Sequence, residues 1–416
     1  MRTFHMTWMA FFTCFFGWFA IAPLMPIVRA EFSLTQAQIA DTVIASVLVT
    51  IFVRLFMGWL CDRFGARKTY TGLLLLGSLP VMGIGFSYDF QSFLFFRLAI
   101  GIVGASFVIT QYHTSVMFAP NCVGAANATT AGWGNLGGGV TQIAMPLILA
   151  AMMSLGVDDY WAWRLAMTIP GVFMILMGAA YFFLTRDFPE GNIQDLAAGG
   201  VAMRTEHSVS TFIEAAKDYR AWILFVLYGA CFGVELTVNN VAALYFTDTF
   251  SLSLKTAGLI AGLFGLMNLF ARSLGGILSD RLAQSGGLRA RTGYLSCVLF
   301  LEGVFLMLFS QMETLPSAIT GLIVFSLFVQ MAEGAVYSVV PFIRPRSLGA
   351  VSGIVGAGGN AGAVLIGFMF RSEAMDYARI FLILGAAVSL VSLSAFLIKP
   401  VACCAEALNE RKPVRA

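Results

Sequence analysis

Charge is what this chain lacks most. Of its 416 residues only 11% are Asp, Glu, Lys or Arg, against roughly 25% in a soluble domain. Histidine is nearly absent: His5, His113 and His207 stand far apart, none paired with an acid or a metal-like partner. The seven cysteines lie scattered in apolar segments or in the tail (Cys403, Cys404) without ligand spacing. They read as small hydrophobes, not as a disulfide or zinc frame. No Ser-His-Asp, metal-spaced or phosphate-binding constellation occurs, which argues against an enzyme and against any metal or other cofactor. The net charge of +3 is too small to argue for nucleic acid.

What is abundant is apolar surface: 59% hydrophobic residues, 13% aromatic, and a mean hydropathy of +0.84. No soluble core absorbs that much, so the solvent for most of the chain is a lipid bilayer. Apolar windows of about 20 residues fall at 6–28, 37–60, 70–88, 91–117, 123–153 and 161–184 (spans 1 to 6). A second set falls at 219–246, 256–279, 291–311, 317–340, 348–371 and 377–399 (spans 7 to 12). The first stretch, Met6 to Val28, is too long for a signal-peptide core and carries Pro23 and Pro26, so it reads as a span and not a cleaved leader. The expectation is an all-α membrane protein of twelve transmembrane helices in two six-helix halves. The halves are 1–184 and 218–400, joined by a polar linker at 185–217 and followed by a tail at 401–416.

Cations gather on alternate loops: Arg63, Arg67 and Lys68; Arg186, Arg204 and Lys217; Arg281, Arg289 and Arg291; Arg344 and Arg346; Arg411, Lys412 and Arg415. The opposite loops, around Tyr88-Asp89, Asp158-Asp159 and Gln311-Met312-Glu313, are poorer in them. The positive-inside rule then puts both termini and the linker in the cytoplasm.

The halves also repeat. Arg54-x3-Gly58-x3-Asp62-Arg63 in span 2 recurs as Arg272-x3-Gly276-x3-Asp280-Arg281 in span 8, 218 residues on. In span 5, GWGNLGGGVT (132–141) contains Gly134-Asn135-Leu136-Gly137; Gly358-Gly359-Asn360-Ala361-Gly362 echoes it in span 11. The literal G-x-G-x-x-G is not a phosphate loop, because it sits mid-span with no strand before it. Six-helix halves related by a parallel repeat imply a transport pathway at their interface, near the bilayer midplane.

Arg54 and Arg272 each lie eight residues, about 12 Å along a helix, from their Asp, hence within the hydrocarbon layer. A charge there costs at least ~2.5–3.5 kcal/mol. Snorkelling is the bland alternative, but the same costly residue recurs at the equivalent repeat position. Two guanidiniums facing one cavity make an anion site suited to a planar oxyanion bound bidentately. Asp62, Arg63, Asp280 and Arg281 are expected to form salt bridges that lock one access state, with plain topogenic charge as the rival for the cations. Packing alone explains Gly134, Gly137, Gly138, Gly356, Gly359 and Gly362. It does not explain Asn135 and Asn360, whose amides cost ~1–3 kcal/mol unpaired; interhelical hydrogen bonds and substrate contacts both remain open. Tyr228 and Phe232 share a helix face, though on sequence alone simple packing is the better reading for them and for Phe107. Glu235, Glu333 and Glu302 are intramembrane carboxylates, either proton-coupling groups or ion-pair partners of the arginines.

Gly58-Trp-Leu-Cys-Asp62-Arg63-Phe-Gly65-Ala-Arg67-Lys68 resembles the loop 2–3 signature of the major facilitator superfamily, and Arg97-Leu-Ala-Ile-Gly101 is similar to a second, weaker one. The blocks in spans 5 and 11, including Gly134, Gly137, Gly138, Gly358, Gly359 and Gly362, resemble the paired motifs of its nitrate/nitrite porter family. Tyr228-Gly-Ala-Cys-Phe232-Gly-Val-Glu235 looks like the assimilatory branch. The resemblance implies the major facilitator fold and a nitrate or nitrite site in a cytoplasmic (inner) membrane. Arg54 and Arg272 match the family's substrate arginines, Tyr228 a hydroxyl donor, Phe232 and Phe107 the aromatic walls, and Asn135, with Asn360 as its counterpart, the signature asparagine. Glu235 and Glu333 are not assigned as proton sites by this match. The expected function is monomeric, proton-coupled nitrate uptake by alternating access, with nitrite as a second substrate. Nitrate/nitrite exchange and an oxalate- or formate-like carboxylate antiport are the alternatives.

Overall fold

The computed structural model describes residues 1–118, 123–193, 195, 209–344, 348–372 and 375–399. Arg204, Glu206, His207, Arg346, Cys403, Cys404 and the tail with Arg411, Lys412 and Arg415 lie outside these, as does the side chain of Asp62. The described residues form helices joined by short turns and loops, with no strand among them. Eleven helical stretches are long and apolar enough to cross a membrane. One of them, Leu254–Ser310, has 57 residues, about 86 Å at 1.5 Å per residue, against a hydrocarbon layer of about 30 Å. It covers spans 8 and 9 together. A 3₁₀ turn at Met267–Leu269 interrupts it, and Gly287 breaks it at φ 58°, ψ −142°.

Short polar residues start many of the helices. Thr35 and Asp89 each form a capping box, with Gln38 and Ser92, and Asp158, Ser253 and Asp376 each accept a backbone N–H three residues on. These five caps satisfy orphan amides at the ends of spans 2, 4, 6, 8 and 12. At the opposite end Gly65 closes span 2 at φ 82°. A Cβ there would sit 2.3 Å from a carboxylate oxygen of Asp187, which accepts the Arg67 and Ile193 amides at 2.8 and 3.2 Å. Both facts require glycine.

The packing repeats as the sequence does. Span 5 lies along span 1 and span 11 along span 7; span 5 meets span 8 and span 2 meets span 11 across the halves of the chain. Large apolar side chains such as Leu76, Phe183, Leu365 and Leu390 are about 70% exposed or more and point away from the bundle, where lipid would meet them. The signature glycines face the partner within their own half, Gly138 also meeting the other half. A Cβ on Gly134 would enter the Phe11 ring and one on Gly137 would lie 2.2 Å from the Phe12 carbonyl, while those on Gly358 and Gly362 would strike the backbone of Phe225 and Gly229. Gly138 touches Phe19 and Asn239, and Gly359 lies under the rings of Tyr228 and Phe232. Close backbone approach is therefore what these glycines provide.

Ion pairs differ between the two ends of the bundle. At the end carrying the five caps, Arg29 forms a fork on Asp248 at 2.7 and 2.5 Å, Tyr377 donates to Asp248 at 3.3 Å, and Arg371 pairs with Asp41 at 2.9 Å. Arg29 and Asp41 belong to the first half of the chain, Asp248 and Arg371 to the second. At the other end Asp280 pairs with Arg291, Arg344 with Glu214 and Arg220 with Asp218. The first and last of these join elements of one half, and Arg344–Glu214 ties the second half to the linker. The expected locking role of Asp280 thus meets a partner on its own side of the chain. Arg63 is exposed over the Phe64 ring, and Arg281 is exposed as well.

Candidate substrate site

Six side chains from five spans meet in the middle of the bundle. Tyr228 and Phe232, one turn apart on span 7, stack with ring centroids 5.1 Å apart and planes within 6°. Tyr337 of span 10 stands edge-on to Tyr228 at 5.1 Å and to Phe107 of span 4 at 6.1 Å. The Arg54 guanidinium lies 5.4 Å from the Phe107 ring centre and 5.9 Å from that of Phe232. From the other side Arg272 donates to the Tyr228 hydroxyl at 3.1 Å. The aromatic groups and both arginines are at most 6% exposed, Tyr337 apart. The arrangement is an aromatic box with a guanidinium on two sides, the cations placed where ring faces favour them.

The two arginines are compensated differently. Arg272 forms a buried ion pair with Glu333. Arg54 pairs with no carboxylate among the described residues. It donates to the Gly356 carbonyl at 2.8 Å and the Gly104 carbonyl at 3.5 Å, and its Nε has no acceptor. Gly356 is a signature glycine of span 11, so the bond crosses the halves.

Behind Arg272 lies a second layer. Glu235 accepts from Asn268 at 2.7 Å and from Asn135 at 3.4 Å. Its carboxyl group neighbours that of Glu333. Glu333 gives Oε2 to Arg272, while its Oε1 meets no donor. Glu302, fully buried, has no donor on either oxygen among the described residues, and both side-chain ends of buried Gln330 are likewise unpartnered there. The signature asparagines diverge here. Asn135 spans the halves to a carboxylate, whereas Asn360 reaches only the Gly356 carbonyl of its own helix, at 3.5 Å. Neither carbonyl oxygen, Asn135 Oδ1 or Asn360 Oδ1, finds a donor among the described residues.

Of the residues singled out in the sequence, the structure thus gathers Arg54, Arg272, Tyr228, Phe232 and Phe107 at one place, with Glu333, Glu235 and Asn135 directly behind. Two members were not singled out. Tyr337 follows Glu333 by four residues and Asn268 precedes Arg272 by four, so each shares a helix face with a charged residue already flagged. That spacing was the available signal. His113 is not solitary either: its ring nitrogens meet the Tyr181 hydroxyl at 2.5 Å and the Arg186 carbonyl at 2.7 Å, tying span 4 to span 6.

Comparison with known proteins agrees with this layout. The profile described as Major Facilitator Superfamily matches residues 7–367. "High affinity nitrate transporter 2.5" of Arabidopsis thaliana is 43% identical over 89% of this chain and 74% of that protein. "High-affinity nitrate transporter 2.3" of Oryza sativa subsp. japonica is 40% identical over 89% and 72% respectively. "Nitrate/nitrite transporter NrtP" of Nostoc punctiforme is 28% identical over 96% of this chain and 92% of that one. Among solved structures, a bacterial homologue of the human lysosomal transporter Spinster superposes with a TM-score of 0.73 at 16% identity, covering 96% of this chain and 98% of its own; that likeness is one of fold. An all-helical bundle of this architecture, matched along most of its length by these relatives, makes the chain a membrane transporter of the major facilitator superfamily, in its nitrate/nitrite porter family.

Proposed function

We propose that this chain carries nitrate, with nitrite as a second substrate, across the cytoplasmic membrane by alternating access, bringing in at least one proton with each anion. The observation that carries the reading is the pair of buried guanidiniums on either side of a stacked aromatic pair, one neutralised by Glu333 and the other not. A flat monoanion fits between ring faces, and the fork of each arginine matches two of its oxygens. The names of the relatives point to the same anion. Asn135 acts by holding Glu235, and the Gly-Asn blocks of spans 5 and 11 are the close-packed surfaces on which the halves bend.

In this reading the chain crosses the membrane twelve times, residues 1–184 and 218–400 forming the two bundles and Gly287 separating the eighth and ninth crossings. The linker and both termini are cytoplasmic. The end tied by Arg29–Asp248 and Asp41–Arg371 is then external, and these pairs are made when the outer side is closed. Nitrate stays an anion at any cellular pH, and its entry opposes a negative-inside potential by ~2.3 kcal/mol per 100 mV. Uptake therefore needs coupling, to at least one proton or to an outgoing anion such as nitrite, and the neighbouring carboxyl groups of Glu333 and Glu235 are a place for a shared proton. Nitrate/nitrite exchange is the second reading, favoured by the same Arg272–Glu333 pair if it is only structural.

Proteoliposomes separate them. An acid exterior alone drives nitrate uptake in the first case, and internal nitrite is required in the second. Arg54→Lys keeps the charge but loses the fork and one carbonyl contact, and it lowers kcat/KM by roughly 10- to 100-fold. Wild-type rates in Arg54→Lys, or competition by oxalate but not by nitrite, would remove nitrate from the site.

A further inference from the structure

A second arginine of the first half is unaccounted for by the central site. Arg97 of span 4 is 2% exposed. Its Nη2 donates to the Asn240 side-chain oxygen at 2.9 Å and to the Ser46 hydroxyl at 3.3 Å. Its Nε and Nη1 have no acceptor, and no carboxylate among the described residues pairs with it. A structural tie between spans 2, 4 and 7 would explain the two bonds. It would not explain the charge, since an amide could make both, and a buried cation with bare donors and no counter-charge is costly.

Position suggests what the charge is for. A cavity of about 160 Å³ opens at the end tied by Arg29 and Asp248, and its walls reach inward along spans 2 and 7 to Val43, Thr237 and Val241. Ser46 is one turn beyond Val43, and Asn240 is the chain neighbour of Val241. Arg54 follows Ser46 by eight residues, about 12 Å further along the same helix. Arg97 therefore stands between the outer cavity and the central pair. Its bond to Asn240 joins the two halves, so parting them at this end releases a guanidinium with free N–H groups toward the widened cleft.

We infer that Arg97, with Ser46 and Asn240, forms an outer entry site for a planar monovalent oxyanion, occupied before the anion reaches Arg54 and Arg272. The inference rests on the anion-transport reading above. In the closed state Asn240 replaces the anion as the acceptor for Arg97; in the open state the anion takes that place and the asparagine and serine bond its remaining oxygens.

The test uses the full chain in proteoliposomes sorted by orientation, with initial nitrate fluxes measured from each face. Arg97→Gln keeps hydrogen-bonding groups toward Asn240 and Ser46 but removes the charge. It is expected to raise KM from the outer face about tenfold, with KM from the other face changed by less than about twofold. Arg97→Lys recovers most of the loss. Asn240→Asp, which sets a carboxylate against an unchanged Arg97, is expected to raise the outer KM by a similar factor and serves if Arg97→Gln does not fold. Equal rises on both faces, or an unchanged outer KM in a variant with the wild-type melting temperature, overturn the entry site while leaving nitrate transport intact. A wild-type protein that moves no nitrate from either face overturns the transport reading, and the entry site with it.

Discussion

On the proposed reading, replacing Glu235 by Gln removes the shared proton from the membrane interior while keeping nearly every contact. The new side-chain carbonyl still accepts from Asn268 or Asn135. Its amide can donate to the neighbouring Glu333 carboxylate, in place of the shared proton. The variant thus holds the charge of the protonated pair at every pH. With one proton carried per nitrate the wild-type cycle is electroneutral, and one pH unit, acid outside, sustains about tenfold accumulation. Without the proton the same protein carries a bare monoanion. At 100 mV, negative inside, that anion is held out by ~2.3 kcal/mol, about fiftyfold. The two limits differ by about 500-fold, or ~3.7 kcal/mol.

The assay is internal nitrate at steady state in proteoliposomes clamped at that potential with a one-unit pH difference. Glu235→Gln is expected to keep exchange of labelled nitrate at equal concentrations, at a rate flat with pH. That exchange shows that binding and the conformational cycle survive, so lost accumulation cannot be blamed on a misfolded protein. Accumulation by Glu235→Gln that still tracks the pH gradient would refute the shared proton.

Two further predictions concern stability. Gly137→Ala places a methyl 2.2 Å from the Phe12 carbonyl and 2.9 Å from the Phe16 amide, an overpacking that costs ~1–3 kcal/mol and lowers the melting temperature in detergent by several degrees; Gly58→Ala, whose Cβ meets nothing within 4 Å, is expected to melt no lower than wild type. The Asp218 carboxylate, just before span 7, is held below the usual carboxylate range by hydrogen bonds from the Arg220 side chain and amide and by the Arg344 charge. A depressed folded-state value stabilises above the unfolded value of about 3.9 and is lost as pH falls through the folded one. The melting-temperature gap between wild type and Asp218→Asn is therefore constant from about pH 7 to 5 and closes below about pH 4.

The parts of the site legible in sequence were those where a cost had to be explained. Arg54 and Arg272 stood out because charge is rare in apolar spans, and their recurrence fixed them at equivalent depths. Tyr337 was hidden because one more tyrosine in a chain with 13% aromatics carries no cost. The Arg97–Asn240 bond joins residues 143 apart, and no local pattern reports it. The two asparagine blocks look alike, yet Asn135 finds Glu235 and Asn360 finds no acid. The repeat maps span 7 onto span 1, and span 1 carries no carboxylate between Arg2 and Arg29 to serve as the counterpart. Backbone packing follows the repeat symmetry; side-chain partners need not. The Gly286-Gly287 pair shows the converse limit, since helix continues on both sides of a glycine that reads as a loop.

Charge in the central cluster ties these residues into one rule. Among the groups that touch one another, Arg54 and Arg272 bring two positive charges, and Glu333 and Glu235 two negative ones if both are ionised. The empty cluster is then neutral. One shared proton makes it singly positive, and one nitrate makes it neutral again. Buried net charge is the costly condition, so on the proposed reading the halves close readily when the cluster holds both proton and anion, or neither. The half-loaded forms are penalised, and that penalty is the coupling. A dianion such as oxalate leaves an uncompensated negative charge even with the proton in place, which disfavours the oxalate form of the carboxylate alternative. The same count explains why Glu235→Gln should exchange faster than it transports: its empty cluster is always positive, so the return without nitrate is the slow step. A variant that returned empty as fast as it exchanged would break the rule even if its accumulation had been lost.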